Sequence, residues 1–196
     1  MKAIDKILAR KPNRLTPKQG RLLISEPFLH DIFFKRSVVI LLDHNTDGSF
    51  GLILNKPVEF SFDQVVKGFP DFDSPVYMGG PISSQTIFFI HTMGDLISNS
   101  NEIISGLYWG GKVSDVKELM RTNRLSSQNI KFFLGYAGWG EQQLEQELQY
   151  DSWVIAETSV SEIMQPHTAK SWITMVKNLG KEYEVWTRFP SDPKMN

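Results

Sequence analysis

Apolar residues in this chain come in short runs punctuated by glycine, proline and Asn/Asp, a spacing that predicts the strands of a packed sheet rather than long helices. Leu22-Leu23-Ile24 follows Gly20-Arg21 and stops before Pro27, which predicts a short buried strand and places the start of the folded body at Gly20. Ser37–His44 carries the longest apolar stretch, Val38 to Leu42, largely β-branched and suited to a core strand. Asn45-Thr46-Asp47-Gly48 separates it from Ser49–Pro57. Asp-Gly between two apolar runs predicts a hairpin, because Gly48 can take a positive φ where other residues are strained. Further strands are predicted at Val76–Met78, Ile87–Thr92, Leu107–Trp109, Ile130–Tyr136 and Trp153–Ala156.

Between the later strands the period lengthens from two toward 3.6. Val116, Leu119 and Met120 share one helical face behind Ser114, which reads as an N-cap with Asp115 and Glu118 in the first turn. Leu144 and Leu148 predict a helix over Glu141–Leu148, fed by a strand across the Gly138-Trp139-Gly140 turn. Ser159-x-x-Glu162 is a capping-box pattern. Trp172, Met175, Val176 and Leu179 fall at i, i+3, i+4 and i+7, with Lys177 near the end and Gly180 at the stop. Asp63–Pro75, rich in Gly, Pro and Asp, predicts the long loop of the body. Hairpins followed by strand-helix alternation predict an α+β fold, with a mixed sheet and helices packed on part of it.

Length and charge change this picture at one end. A chain of 196 residues with 41% hydrophobic content suits one domain, and its longest apolar stretch is far short of the ~18 residues of a membrane span. No secretory h-region follows Met1, Lys2 and Lys6, and there is no cysteine for a disulfide, a thiolate or a metal; a cytoplasmic protein is expected. Residues 1–21 hold seven basic residues against Asp5, a formal +6, whereas the remainder holds 14 basic and 21 acidic residues, a formal −7. The division expected is therefore a basic arm over 1–19 and a single domain over 20–196. Such an arm can contact phosphate or an anionic partner, or lie on its own acidic body.

Candidate chemistry is sparse. Gly106–Val113 fits G-x-x-x-x-G-K but ends in Val113 where a phosphate loop needs the Ser/Thr magnesium ligand. Gly135-x-x-Gly138-x-Gly140 has the wrong order for a dinucleotide fingerprint; it reads as a tight turn around Trp139, or as a place where an anion meets backbone N–H groups. The histidines His30, His44, His91 and His167 show no ligand spacing, so neither metal nor cofactor is expected. His44 and His91 both end predicted strands near Arg36, Asn55, Lys56 and the Gly79-Gly80-Pro81 turn. Together, with Asp43 beside them, they form the candidate ligand-binding cleft: imidazole beside a carboxylate and an amide can do acid/base work or hold a polar ligand, whereas polar residues at hairpin ends can also simply cap backbone groups.

Four segments, read together, resemble the AlgH/YqgE family of bacterial proteins. They are Phe34–Asn45, Gly51–Pro57, Tyr77-Met78-Gly79-Gly80-Pro81 and Gly135–Glu147, in the family's order. Ile82 and Gln142-Gln143 depart mildly from its pattern, and the basic arm is this chain's own. The resemblance implies an AlgH/YqgE-like bent sheet forming a pseudo-barrel. It implies no enzymatic activity and no DNA-binding motif; the family carries the label of transcriptional regulator through the alginate association of one branch. Three functions are carried forward. The first is a non-enzymatic regulatory or binding domain that takes a small polar ligand or a protein partner in the cleft, with no membrane contact. The second is a small hydrolase or transferase with His44 or His91 as base, and the third is nucleic-acid binding through the basic arm.

Overall fold

A computed structural model of the chain describes residues 15–29 and 31–190. Most of the predicted basic arm, residues 1–14, and His30 lie outside them. Ten strands form one sheet: β1 (Leu22–Ser25), β2 (Val38–Asn45), β3 (Gly48–Ile53), β4 (Pro57–Ser61), β5 (Pro75–Met78), β6 (Ile82–His91), β7 (Asn101–Ile104), β8 (Leu107–Trp109), β9 (Ile130–Trp139) and β10 (Trp153–Ala156). Helices α1 (Phe62–Val65), α2 (Val113–Arg121), α3 (Gln143–Gln149), α4 (Val160–Met164) and α5 (Ser171–Asn178) are followed by a 3-10 helix, Lys181–Arg188.

The sheet runs β10-β1-β2-β3-β9-β6-β8-β7, with β5 set beside β9 and β4 beside β5. Its spine is β9, which changes partners along its length. Phe132–Leu134 lie between β5, parallel, and β6, antiparallel, whereas Ala137–Trp139 pair with β3. The change falls at Gly135, whose φ of +65° an L side chain would resist. The α+β architecture is thus built on one bent sheet, open between the β10 and β7 edges.

The apolar run Val38–Leu42 is continuous because β2 is buried on both faces. Ile40 and Leu42 face a core closed by Trp172 of α5 and by Trp186, while Val39 and Leu41 face one closed by Trp139, Trp153 and Leu144 of α3. A third cluster gathers Phe62, Val116, Leu119 and Phe132 beneath α1 and α2. The indole of Trp172 donates to the Ser25 carbonyl at 2.9 Å and stacks on Trp186 at 6.5 Å between centroids, tying the C-terminal elements to β1.

Local expectations and structure differ at several ends. Helix α2 starts at Val113 with Lys112 at the N-cap position, so Ser114 lies inside the first turn; Asp115 instead accepts the Ser98 N–H at 2.9 Å. The hairpin strand predicted to reach Pro57 stops at Ile53, and Pro57 opens β4. Strand β9 continues through Gly138 and Trp139, which moves the turn before α3 to Gly140–Gln142. At Ser159 the cap forms, with its Oγ accepting the Glu162 N–H, but the Glu162 carboxylate takes the Thr158 hydroxyl instead of closing the box.

Candidate functional site

The residues predicted to share one cleft are distributed over four places. Asn55, which is buried, bridges two backbones: its Oδ1 accepts from Val38 N and its Nδ2 donates to the Arg36 carbonyl, both at 2.9 Å. Arg36 holds φ at +50°, donates from Nη2 to the Phe189 carbonyl, and lies 4.9 Å over the Trp172 ring. Burial pulls its pKa below the ordinary arginine value. Lys56 donates to the Phe33 and Ile32 carbonyls; burial lowers its pKa and the charge of Asp31 opposes that shift. These three polar side chains are spent on shaping residues 31–36 and docking the C-terminal segment.

Gly79 and Gly80 belong to a backbone crossing. A Cβ on Gly79 would stand 2.2 Å from the Gly135 oxygen, and one on Gly80 at 2.2 Å from the backbone of Tyr136. Gly79 also bonds both neighbours, its N–H to the Leu134 carbonyl at 2.8 Å and its carbonyl to the Ile53 N–H at 2.9 Å. Pro81 beside them is exposed. His91 lies apart and fully buried. Its Nδ1 accepts from Met93 N at 3.1 Å, which puts the ring proton on Nε2, 3.0 Å from the Gly110 carbonyl and 3.1 Å from Ser100 Oγ. Burial lowers its pKa, and the Gly110 carbonyl pulls the other way. It fastens the Gly110 loop to the end of β6.

His44 stands beside a sizeable opening, in contact with Ser49 of its lining. The antiparallel register sets it opposite Ser49, and its Nδ1 is 2.7 Å from Ser49 Oγ while its Nε2 is 3.6 Å from a carboxylate oxygen of Glu145 on α3. Ser49 lines a cleft of about 510 Å3 between the β2–β3 hairpin and the end of β9. Asp43, Asn45 and Asp47 form the polar wall, and Phe50 packs edge-on against Tyr136 on the apolar side, ring centroids 5.6 Å apart. The predicted glycine turn contributes Gly138 and Gly140, but the Gly140 N–H is already taken by Gln143 Oε1 at 3.0 Å.

Ser49, Tyr136 and Gln143 line the cleft without any mark of it in the sequence. A serine inside a strand carries no signal until the register places it opposite a histidine. The phosphate-loop-like stretch resolves into the turn at Gly106, strand β8 and a glycine pair, with the Gly110 N–H given to the Phe89 carbonyl and the Lys112 N–H to the Ser98 carbonyl. Among the described residues, no three His, Asp or Glu side chains gather where they could hold a metal ion.

Comparison with known proteins assigns the family. A family model described as AlgH-like matches residues 22–184. A UPF0301 protein of Chlorobium phaeobacteroides is 40% identical over 179 residues, 91% of this chain and 96% of that one. A UPF0301 protein of Bacteroides thetaiotaomicron is 39% identical over 185 residues, 94% of each chain. Two solved structures share the fold. A Corynebacterium diphtheriae protein has TM-score 0.77 and 21% identity, covering 96% of this chain and all of that one. The solution structure of AlgH from Pseudomonas aeruginosa has TM-score 0.69 and 23% identity, covering 90% and 97%. With its bent sheet, its glycine crossing and this length of matched sequence, the chain belongs to the AlgH-like family.

Proposed function

We propose that this domain is a binding module that takes a small polar ligand, or the loop of a protein partner, in the cleft between the β2–β3 hairpin and Gly138–Gly140. The observation that carries this is the character of the cleft: an acidic wall from Asp43 and Asp47 facing Phe50 and Tyr136, with no basic residue lining it among the described residues. Carboxylates opposite aromatic edges suit a group that is cationic or rich in donors, such as an amine or the basic loop of a partner. A regulatory role would follow from occupancy of this cleft. A chain without cysteine suits the cytoplasm, and among the described residues no helix is long and apolar enough to cross a membrane.

A thermal-shift screen of amines, nucleotides and small metabolites tests the idea. The expected result is a saturable rise in melting temperature for a cationic compound that is lost in Asp47→Asn and weakened in His44→Ala. A screen in which nothing stabilises the protein, or in which the stabilising compounds ignore both substitutions, sinks it.

One observation favours a second reading, a small hydrolase. Ser49 Oγ, His44 and Glu145 stand in line at 2.7 and 3.6 Å beside the same cleft. In that reading Ser49 Oγ attacks an ester carbonyl and His44 Nδ1 takes its proton and returns it to the departing alkoxide. Water then releases the acyl group, with Glu145 facing the imidazolium. Turnover of a generic ester panel that disappears in Ser49→Ala would favour it over the binding module. Equal background rates in wild type and Ser49→Ala, with or without added divalent metals, would dismiss it.

A further inference from the structure

A second polar site lies on another part of the sheet. Lys131 sits in β9 beside β5 and is 4% exposed, an unusual burial for a lysine. Its Nζ donates to the Gln165 carbonyl at 2.6 Å, just beyond the end of α4, and stands 4.8 Å from the centroid of the Tyr77 ring. Among the described residues no carboxylate comes within ion-pair distance. His167, 3% exposed, adds nothing to neutralise the charge: its Nε2 has no hydrogen-bond partner among the described residues, and burial together with the Lys131 charge holds its pKa down to about 4, leaving the ring neutral. Burial also pushes the Lys131 amine down to about 8, so at neutral pH it is still mainly an ammonium. A buried cation without an anion is costly unless something else supplies the negative charge.

The same ammonium opens onto a pit of about 60 Å3. Lys131, Tyr77 and Ser74 are its buried lining, and Ser127, which is exposed, lines it on the solvent side. Of the three N–H donors of the ammonium, one goes to Gln165 and one direction is covered by the Tyr77 ring, which leaves a donor for the pit. The Ser74 hydroxyl makes only a long bond, 3.2 Å, to the Pro75 carbonyl and can turn inward. The volume is on the order of two waters, which is also the space of one small oxyanion.

We infer that this pit binds a small oxyanion, a carboxylate or phosphoryl group, through Lys131 Nζ with the hydroxyls of Ser74 and Ser127. The group enters past Ser127 and supplies the negative charge that the fold withholds from Lys131. The site is independent of the hairpin cleft, on the far side of the Gly135 bend, and neither of the readings above uses it.

The test uses the full chain and Lys131→Met, titrated near pH 7 with sodium phosphate and with sodium acetate against sodium chloride at matched ionic strength. Two quantities are read: the melting temperature, and the rate of reductive methylation of Lys131 followed by mass spectrometry. In the wild type, phosphate or acetate is expected to raise the melting temperature saturably beyond chloride and to slow methylation of Lys131 about tenfold at ten times the dissociation constant. Lys131→Met should show no such rise. A response to phosphate alone marks a phosphoryl ligand, and to acetate alone a carboxylate. Equal thermal shifts in both proteins, or methylation of Lys131 insensitive to both anions, overturns the assignment and leaves the pit to water. Should Lys131→Met fail to fold, the methylation rate on the wild type decides the matter.

Discussion

Single buried polar side chains carry much of this molecule's specificity, and each has a measurable consequence. Asn55 satisfies an N–H at the start of β2 and a carbonyl on the left-handed Arg36 with one amide. Asn55→Ala leaves both groups buried and unbonded, so urea denaturation should show a loss of about 2–3 kcal/mol with an unchanged m-value. His167 predicts a pH dependence. In the unfolded chain it titrates near 6.5, whereas burial first, then the charge of Lys131, holds it near 4 in the fold, with the Ile163 and Glu162 carbonyls opposing. Between those values the unfolded chain binds the extra proton. The stability tied to the neutral ring is therefore complete above about pH 6.5 and is lost as pH falls to about 4, a drop on the order of 3 kcal/mol from this group. Denaturant midpoints for the wild type and His167→Gln at pH 7, 5.5 and 4 should converge as the pH falls; parallel curves would refute the account.

At the scale of elements, the bend in β9 depends on a glycine crossing. A Cβ on Gly135 would lie 2.5 Å from the Gly80 oxygen at a φ of +65°, so Gly135→Ala adds a backbone clash to left-handed strain. A loss of more than about 3 kcal/mol, seen as a falling melting temperature or insoluble protein, is expected. Gly106 also has positive φ, +84°, but nothing lies within 4 Å of its absent Cβ. Gly106→Ala should cost only about 1–2 kcal/mol. Similar costs for the two would mean that close approach is not what Gly135 provides. Helix α3 is held by a comparable concentration of contacts: Glu147 accepts from the indoles of Trp139 at 2.9 Å and Trp153 at 2.7 Å.

Across the whole molecule, β9 belongs to both parts of the sheet, and Trp172 and Trp186 close one core against β1 and β2. The two parts should therefore unfold together: far-UV and near-UV circular dichroism are expected to give one coincident transition. Separate transitions would show that the bend is a domain boundary. Arg21, just before β1, donates from Nη1 to the Thr16 carbonyl at 2.6 Å and has Nη2 3.8 Å from Glu157.

Sequence alone determined the elements whose burial is local in origin. Val38–Leu42 is a strand buried on both faces because β-branched residues without polar interruption fit nothing else, and Asp47-Gly48 fixed the hairpin beside it. Trp172, Met175 and Val176 named the buried face of α5, and the ordered motifs named the family. Tertiary structure alone decided the rest. Strand β4, the first half of β6 and much of β7 are exposed, so no apolar period marks them; β4 pairs with β5 and Ile82 of β6 with Tyr136 of β9 across long stretches of chain, and β7 is an edge strand paired with β8 alone. Polar groups follow the same logic. Asn55, His91 and the Gly79-Gly80 pair are polar or small in ways that suggest a site, yet register and crossing geometry spend them on the backbone. Ser49 and Lys131 gave no local signal, because a hydroxyl or an amine acquires chemistry only from what the fold sets around it.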